Sequence, residues 1–107
     1  MAVNVELQEC IDSCTECADA CRTCADACRG MEGMEQCVAL CEECAKTCER
    51  CIQAMNKGST AECENCADIC EQCAAECEKH DMPECQVCAQ SCRVCAEECR
   101  SMAATAG

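Results

Sequence analysis

Residues 10–28 read CIDSCTECADACRTCADAC, a stretch in which successive cysteines are separated by four, three, four, three and four positions. Intervals of three and four keep side chains on one face of an α-helix. These cysteines therefore form a stripe, a line of thiols along one side of a single helix. A coiled-coil helix carries Leu, Ile or Val at such positions. The stripe predicts a helix whose buried face consists of thiols.

The same spacing returns three more times, and the four stripes account for all 21 cysteines. The stripes are Cys10, Cys14, Cys17, Cys21, Cys24 and Cys28; Cys37, Cys41, Cys44, Cys48 and Cys51; Cys63, Cys66, Cys70, Cys73 and Cys77; and Cys85, Cys88, Cys92, Cys95 and Cys99. Four helices with short connections favour an all-α fold, an antiparallel up-down-up-down four-helix bundle with a cysteine-lined core. We expect one domain over residues 1–107, with helices over about 5–29, 34–56, 60–79 and 82–102.

The helix ends are marked by ordinary stop and start signals. Gly30 and Gly33 end the first helix in a tight turn, and residues 56–58 end the second. Residues 59–62 have the spacing of a capping box and open the third helix. Pro83, two positions after an N-cap aspartate, predicts the first turn of the fourth helix.

The topology assigns side chains to the two ends of the bundle. The turns after the first and third helices lie at one end, which we call the mouth and which gathers Met31, Met34, His80 and Met82. The opposite end, called the far end, gathers Val3, Leu7, Met55 and Met102. Six aliphatic residues each lie beside a cysteine, and we interpret them as seals between helices or as a patch for self-association: Ile11, Val38, Ile52, Ile69, Val87 and Val94.

Composition excludes several classes of partner. The formal net charge is −13 and the chain has no aromatic residue. Such a surface repels nucleic acid and anionic membranes, and it offers no platform for base stacking. No stretch is apolar enough to span a membrane, and the first residues lack the features of a signal peptide. We therefore expect a cytosolic location, where thiols stay reduced.

A core of 21 thiols favours metal binding over inert packing. Buried cysteine can pack as a small hydrophobic residue, but valine or alanine would do so without the hazard of oxidation. A Cys-x-x-x-Cys pair suits one Cu(I) ion bridging two thiolates, and thiolates select Cu(I). Because shared sulfurs leave the Cu(I)–thiolate core neutral, a full core would hold up to about 20 ions.

Other uses of the thiols remain open from the residues alone. A zinc or cadmium buffer would hold about four thiolates per ion, and about five such sites would bury roughly −10 of charge. A structural or redox protein would join the helices by disulfides, although neighbours on one helix are poorly placed for them. An iron–sulfur carrier is disfavoured, because the CxxxCxxC strings arise from the helical period and lack a cluster-binding loop.

The four cysteine-striped helices resemble the bacterial four-helix-bundle copper storage proteins, of the Cys-rich cytosolic type. The resemblance covers nearly the whole chain. It implies Cu(I) held by core thiolates, many ions per chain, storage or detoxification without enzymatic activity, and a homotetramer. It also implies that copper, delivered by a copper chaperone or a cytosolic thiol, enters at the mouth through some of His80, Met31, Met34 and Met82.

Overall fold

The computed structural model describes residues 2–106, and within them the side chains of residues 5–104. Four helices make up the fold: α1 (Ala2–Cys28), α2 (Glu35–Asn56), α3 (Cys63–Cys77) and α4 (Pro83–Ala106). No strand occurs within residues 2–106, which confirms the all-α prediction. The expected position of the Val3 side chain lies outside the described residues.

The helices form a ring of neighbours in an elongated bundle of 47 × 18 × 17 Å. Helix α1 packs against α2 and α4, and α3 packs against the same two helices. Cys10 near the start of α1 contacts Cys99 near the end of α4, whereas Cys28 contacts Cys85. Helix α4 therefore runs opposite to α1, as the up-down-up-down topology predicts.

Both ends of α3 differ from the prediction because local hydrogen bonds form turns there instead of helix. Helix α3 begins at Cys63 instead of residue 60, since the Cys63 amide donates to the Thr60 carbonyl at 3.1 Å and the Ala61 amide to Ser59 Oγ at 3.2 Å. Residues 59–62 therefore form a turn before the helix. Helix α3 also ends at Cys77, because the His80 amide bonds the Cys77 carbonyl at 3.1 Å in a tighter turn.

The first and last helices, α1 and α4, are longer than predicted. Helix α1 starts at Ala2, and α4 continues to Ala106 instead of ending near residue 102. Three of the four residues from 103 to 106 are alanine, the strongest helix former, and no glycine or proline interrupts them. Gly30 has a φ of 84° and lies two residues after the end of α1, so the predicted glycine stop is present.

The core consists of the cysteines, of small residues beside them and of three methionines at its ends. All 21 cysteines are buried. The buried alanines are Ala18, Ala25, Ala45, Ala67, Ala74, Ala89 and Ala96. Each alanine directly follows a cysteine, so these buried positions beside the stripes carry only a methyl group. A core of thiols and methyls buries little apolar area per residue, and the metal-free fold gains correspondingly little from hydrophobic burial.

The aliphatic residues beside the stripes divide into two groups. Ile11, Val38, Ile52 and Ile69 are half-buried and pack against the core, as expected of seals between helices. Val87 and Val94 on α4 are 58% and 50% exposed. For these two the sealing interpretation is wrong, because they lie on the outer surface of the bundle.

Ion pairs on the surface link α1 with α2 and α3 with α4. Arg29, directly after α1, pairs with Glu42 of α2 at 2.5 Å, and Arg93 of α4 pairs with Glu78, directly after α3, at 2.8 Å. These side chains are about half exposed, so each pair adds little to stability. Within residues 2–106, no helix combines the length and the hydropathy that a membrane span requires.

Candidate metal centre

The four stripes bring their sulfurs together in the middle of the bundle. Cys17 Sγ of α1 lies 3.8 Å from Cys44 Sγ of α2, 3.8 Å from Cys70 Sγ of α3 and 3.6 Å from Cys92 Sγ of α4. One layer thus joins sulfurs from all four helices. The regular spacing along each helix repeats such layers on both sides of this one.

These layers form a cysteine column, by which we mean the Sγ atoms of all 21 cysteines. Toward the mouth, Cys24 Sγ lies 3.6 Å from Cys85 Sγ, which lies 3.7 Å from Cys28 Sγ. Toward the far end, Cys95 Sγ lies 3.5 Å from Cys14 Sγ. All 21 cysteines are free thiols, and these contacts are far longer than the bond of about 2.05 Å in a disulfide.

Groups of four thiols recur along the column with all sulfurs of a group within 4.8 Å of one another. They include Cys14, Cys51, Cys66 and Cys99; Cys14, Cys48, Cys66 and Cys95; Cys17, Cys48, Cys70 and Cys95; Cys17, Cys21, Cys44 and Cys92; and Cys21, Cys73, Cys88 and Cys92. Several cysteines belong to two groups. A sulfur shared between adjacent groups is placed to bridge two ions, which suits a chain of thiolate-bridged Cu(I) better than separate mononuclear sites.

Burial favours the protonated form of three thiols on the mouth side of the column. It raises the pKa of Cys37 to about 11 and the pKa of Cys85 to about 12. Burial likewise raises the pKa of Cys24. Because the thiolate is the form that binds metal, each ion that binds must displace protons from these groups.

The mouth places a thioether against the end of the column. Cys28 donates its S–H toward Met82 Sδ at 3.9 Å, and Met82 is half-buried against the core. Met34 is 7% exposed. Met34 and Met82 therefore both lie at the mouth end of the core, the end to which the sequence analysis assigns them.

Met31 lies three positions after Cys28, which predicts that it extends the first stripe, and this prediction is wrong. Its side chain is 44% exposed because the chain turns away from the helix axis at Gly30, whose φ is positive. Met31 instead lines an open cleft beside the α1–α2 turn, together with Cys28, Glu35 and Val38.

His80 is fixed at the mouth by a residue that the sequence analysis did not single out. Its ring is 20% exposed, and its Nε2 lies 3.1 Å from Oε2 of Glu76, one helical turn earlier. The hydrogen bond from His80 lowers the pKa of the Glu76 carboxyl, with a smaller contribution from Lys79. The i, i+4 spacing of Glu76 and His80 is the sequence signal that could have identified this pair.

The far end is closed by apolar side chains. Met55 and Met102 are 1% and 4% exposed, and Leu7 is half-buried against the core. Beside them, burial raises the pKa of Glu98, and the negative charge of Glu9 adds to this effect. The two ends of the column thus differ in polarity and in access.

The model of the copper storage protein family matches residues 3–104 of the chain. A comparison with curated protein sequences gives no match. Several solved structures have the same fold over almost the whole chain.

Copper storage protein 3 from Bacillus subtilis, in its apo form, is 43% identical with a TM-score of 0.85, over 90% of this chain and 97% of that one. The Cu(I)-bound copper storage protein BsCsp3 is 41% identical with a TM-score of 0.86, over 92% and 98%. A cytosolic copper storage protein from Streptomyces lividans, described with five coppers, is 29% identical with a TM-score of 0.90, over 96% of both chains.

Proposed function

Since the chain belongs to the copper storage protein family, we propose that it stores Cu(I) as many ions per chain, bound by the thiolates of the cysteine column. The observation that carries the proposal is the continuity of the column. Contacts of 3.5–4.0 Å and overlapping groups within 4.8 Å link the thiols from the mouth to the far end. All 21 cysteines are the proposed ligands.

The charge of the filled core favours Cu(I) over a divalent ion. One Cu(I) per thiolate is neutral, whereas a zinc ion with four thiolates carries −2. The chain already has a net charge of −13. Burying further negative charge in a bundle about 18 Å across would require compensation that the apolar core does not supply.

The proposed path of copper runs from the mouth to the far end. Met34 and Met82 supply thioethers, soft donors suited to Cu(I), next to Cys28. His80 adds an imidazole with part of its ring exposed to solvent. Met31 lies on the outer rim and would meet copper before it reaches the column. A copper chaperone or a small cytosolic thiol would deliver the ion there, and thiolate exchange would move it inward.

We further propose storage without catalysis, in the cytosol, by a homotetramer. The exposed side chains of Val87 and Val94, seven positions apart, lie on one face of α4 and support self-association there. The double variant Val87→Glu, Val94→Glu should reduce the mass of the assembly measured by analytical ultracentrifugation. An unchanged mass would place the interface elsewhere, and a monomeric wild type would contradict the tetramer.

The test of the storage function is a competition for Cu(I). Reduced apo-protein is titrated anaerobically with Cu(I) in the presence of a strong chromophoric Cu(I) chelator. We expect the protein to withhold more than about ten equivalents per chain before the chelator gains colour. Colour after only a few equivalents would contradict storage.

A zinc or cadmium buffer is the second candidate, and the groups of four thiols favour it. Three of the groups share no member: Cys14, Cys51, Cys66 and Cys99; Cys17, Cys48, Cys70 and Cys95; and Cys21, Cys73, Cys88 and Cys92. Four thiolates around one ion are the usual structural zinc site. We expect Cu(I) to displace Zn(II) from zinc-loaded protein, measured by elemental analysis after gel filtration. Zinc retained against excess Cu(I) would favour the buffer.

A further inference from the structure

The turn between α3 and α4 holds the only histidine of the chain in a defined position. The His80 amide donates to the Cys77 carbonyl at 3.1 Å, and Gln86 Nε2 donates to the His80 carbonyl at 3.0 Å. The backbone of His80 is therefore tied to both helices. The remaining freedom of the residue lies in its ring.

The ring is held by Glu76, whose Oε2 lies 3.1 Å from His80 Nε2. The Glu76 side chain is 13% exposed and the His80 ring 20% exposed. A glutamate carboxylate at neutral pH only accepts hydrogen bonds. Nε2 must therefore carry the hydrogen of this bond, whether the imidazole is neutral or protonated.

We propose that Glu76 is a positioning residue that holds His80 through Nε2–H, so that Nδ1 is the ring nitrogen that meets incoming Cu(I). The proposal rests on the Cu(I) storage function proposed above, and it names the atom of the mouth that would contact incoming Cu(I). A carboxylate that accepts the second N–H of a ligating histidine fixes its tautomer and makes the other nitrogen a stronger donor.

The neighbourhood suits such a role. His80 lies two positions before Met82, and Met82 Sδ lies 3.9 Å from Cys28 Sγ at the end of the column. A simple ion pair between Glu76 and nearby cations would predict a different result. Glu76 also contacts Lys79 Nζ at 3.4 Å, and an acidic residue that served only to pair with cations would have no effect on which ring nitrogen binds copper.

One isotope label tests the proposal directly, because the chain has a single histidine. Reduced apo-protein labelled with ¹⁵N-histidine should show Nε2 as the protonated nitrogen in a ¹H–¹⁵N correlation spectrum at a pH where the ring is neutral. Substoichiometric Cu(I), which is diamagnetic, should then shift the Nδ1 resonance. The Nδ1–H tautomer in the apo-protein, or a Cu(I)-dependent change at Nε2 alone, would overturn the proposal.

Variants separate positioning from a general loss of charge. Glu76→Ala should yield a mixture of tautomers and slow Cu(I) uptake by up to about tenfold, the low end of what loss of such a partner costs. Glu76→Gln keeps a carbonyl acceptor and should restore both properties in part. Glu78→Ala removes a carboxylate of the same helix end that pairs with Arg93, and should leave the tautomer and the uptake rate unchanged. Equal slowing by Glu76→Ala and Glu78→Ala would overturn the positioning role.

The outcomes also separate this proposal from the storage function. Uptake of many Cu(I) ions with neither ring nitrogen perturbed would overturn the role of His80 and leave storage intact. Failure to withhold Cu(I) from the chelator would overturn storage, and with it the copper-binding role of Nδ1.

Discussion

The two ends of the bundle close the same cysteine column with different chemistry. At the far end Met55 and Met102 are almost fully buried and serve as apolar plugs. At the mouth Met82 is only half-buried and its Sδ contacts Cys28 Sγ, while His80 keeps a fifth of its ring exposed. The thiols alone form a column without a preferred direction. In the proposed function, the side chains at its ends set the direction, and copper enters at the mouth.

The largest effect on Cu(I) uptake should come from removing the thiols in the middle of the column. In the central layer, Cys17, Cys44, Cys70 and Cys92 have Sγ contacts of 3.6–3.9 Å. Replacing all four by Ala removes the sulfurs through which copper would pass inward. We expect biphasic uptake in stopped-flow chelator assays, with a fast phase that fills the mouth side and a much slower phase for the far side.

The matched control removes the same number of thiols at the far end, by replacing Cys10, Cys51, Cys63 and Cys99 with Ala. This variant keeps the path from the mouth intact, so its uptake should remain a single phase with a reduced capacity. Circular dichroism of both variants checks that the helices are retained. Single-phase uptake by the central variant would mean that copper does not travel along the column.

The next largest effect is on the free energy of unfolding. It compares a buried methionine at the far end with an exposed methionine at the mouth. Met55→Ala should destabilise the reduced apo-protein by about 2–5 kcal/mol, because it leaves a cavity in the closed far end. Met31→Ala should lie within about 0.5 kcal/mol of the wild type, because Met31 is exposed. Urea unfolding followed by circular dichroism measures both. Equal losses from the two variants would contradict the difference in burial between the ends.

A smaller effect, on rate, tests whether the thioethers at the mouth handle copper. The pair Met34→Leu, Met82→Leu keeps side-chain volume but removes both sulfurs. We expect Cu(I) uptake to slow by about tenfold, equivalent to about 1.4 kcal/mol of activation free energy. The pair Met55→Leu, Met102→Leu makes the same chemical change at the far end and should not alter the rate. Slower Cu(I) uptake by the far-end variant would indicate that copper also enters at the far end.

The arrangement of the helices and the burial of the thiols could be predicted from spacing alone. Cysteines at intervals of three and four can share one environment only on a helix, and four such stripes with short connections have few ways to bury their faces. Met34 and Met55 fit the period of the second stripe, three positions before Cys37 and four after Cys51, and both are buried.

Features that depend on the path of a turn or on the outer surface could not be predicted this way. Met31 fits the period of the stripe, but the positive φ of Gly30 takes the chain off the helix before it. Val87 and Val94 directly precede a cysteine, as Ile69 does, yet Ile69 is half-buried and the two valines are exposed, so adjacency to a cysteine does not decide which side chain is covered. The pKa shifts of glutamates could not be predicted from spacing either. Glu76 and Glu98 both lie directly before a stripe cysteine, and their pKa values shift in opposite directions.

These two glutamates have opposite pKa shifts, one at each end of the bundle. The bond from His80 and the charge of Lys79 lower the pKa of Glu76, so its stabilising contribution is present at neutral pH and is lost as pH falls through the lowered pKa. Burial raises the pKa of Glu98, so its contribution is present in acid and is lost as pH rises through the raised pKa. The groups that add to the shift of Glu98 are all acidic, namely Glu9, Cys10, Glu97 and Glu6.

The smallest predicted effect follows from this contrast and uses one conservative substitution at each end. Glu76→Gln should lower the Tm of the reduced apo-protein at pH 7 by a few degrees, because it removes a carboxylate that His80 stabilises. Glu98→Gln should raise the Tm at pH 7, because it removes a negative charge held among other negative charges. Both differences should shrink in acid below the carboxyl pKa values, where the wild-type glutamates are protonated. Thermal unfolding at both pH values measures the effects, and a shift of the same sign for both variants at pH 7 would show that the two ends do not differ electrostatically.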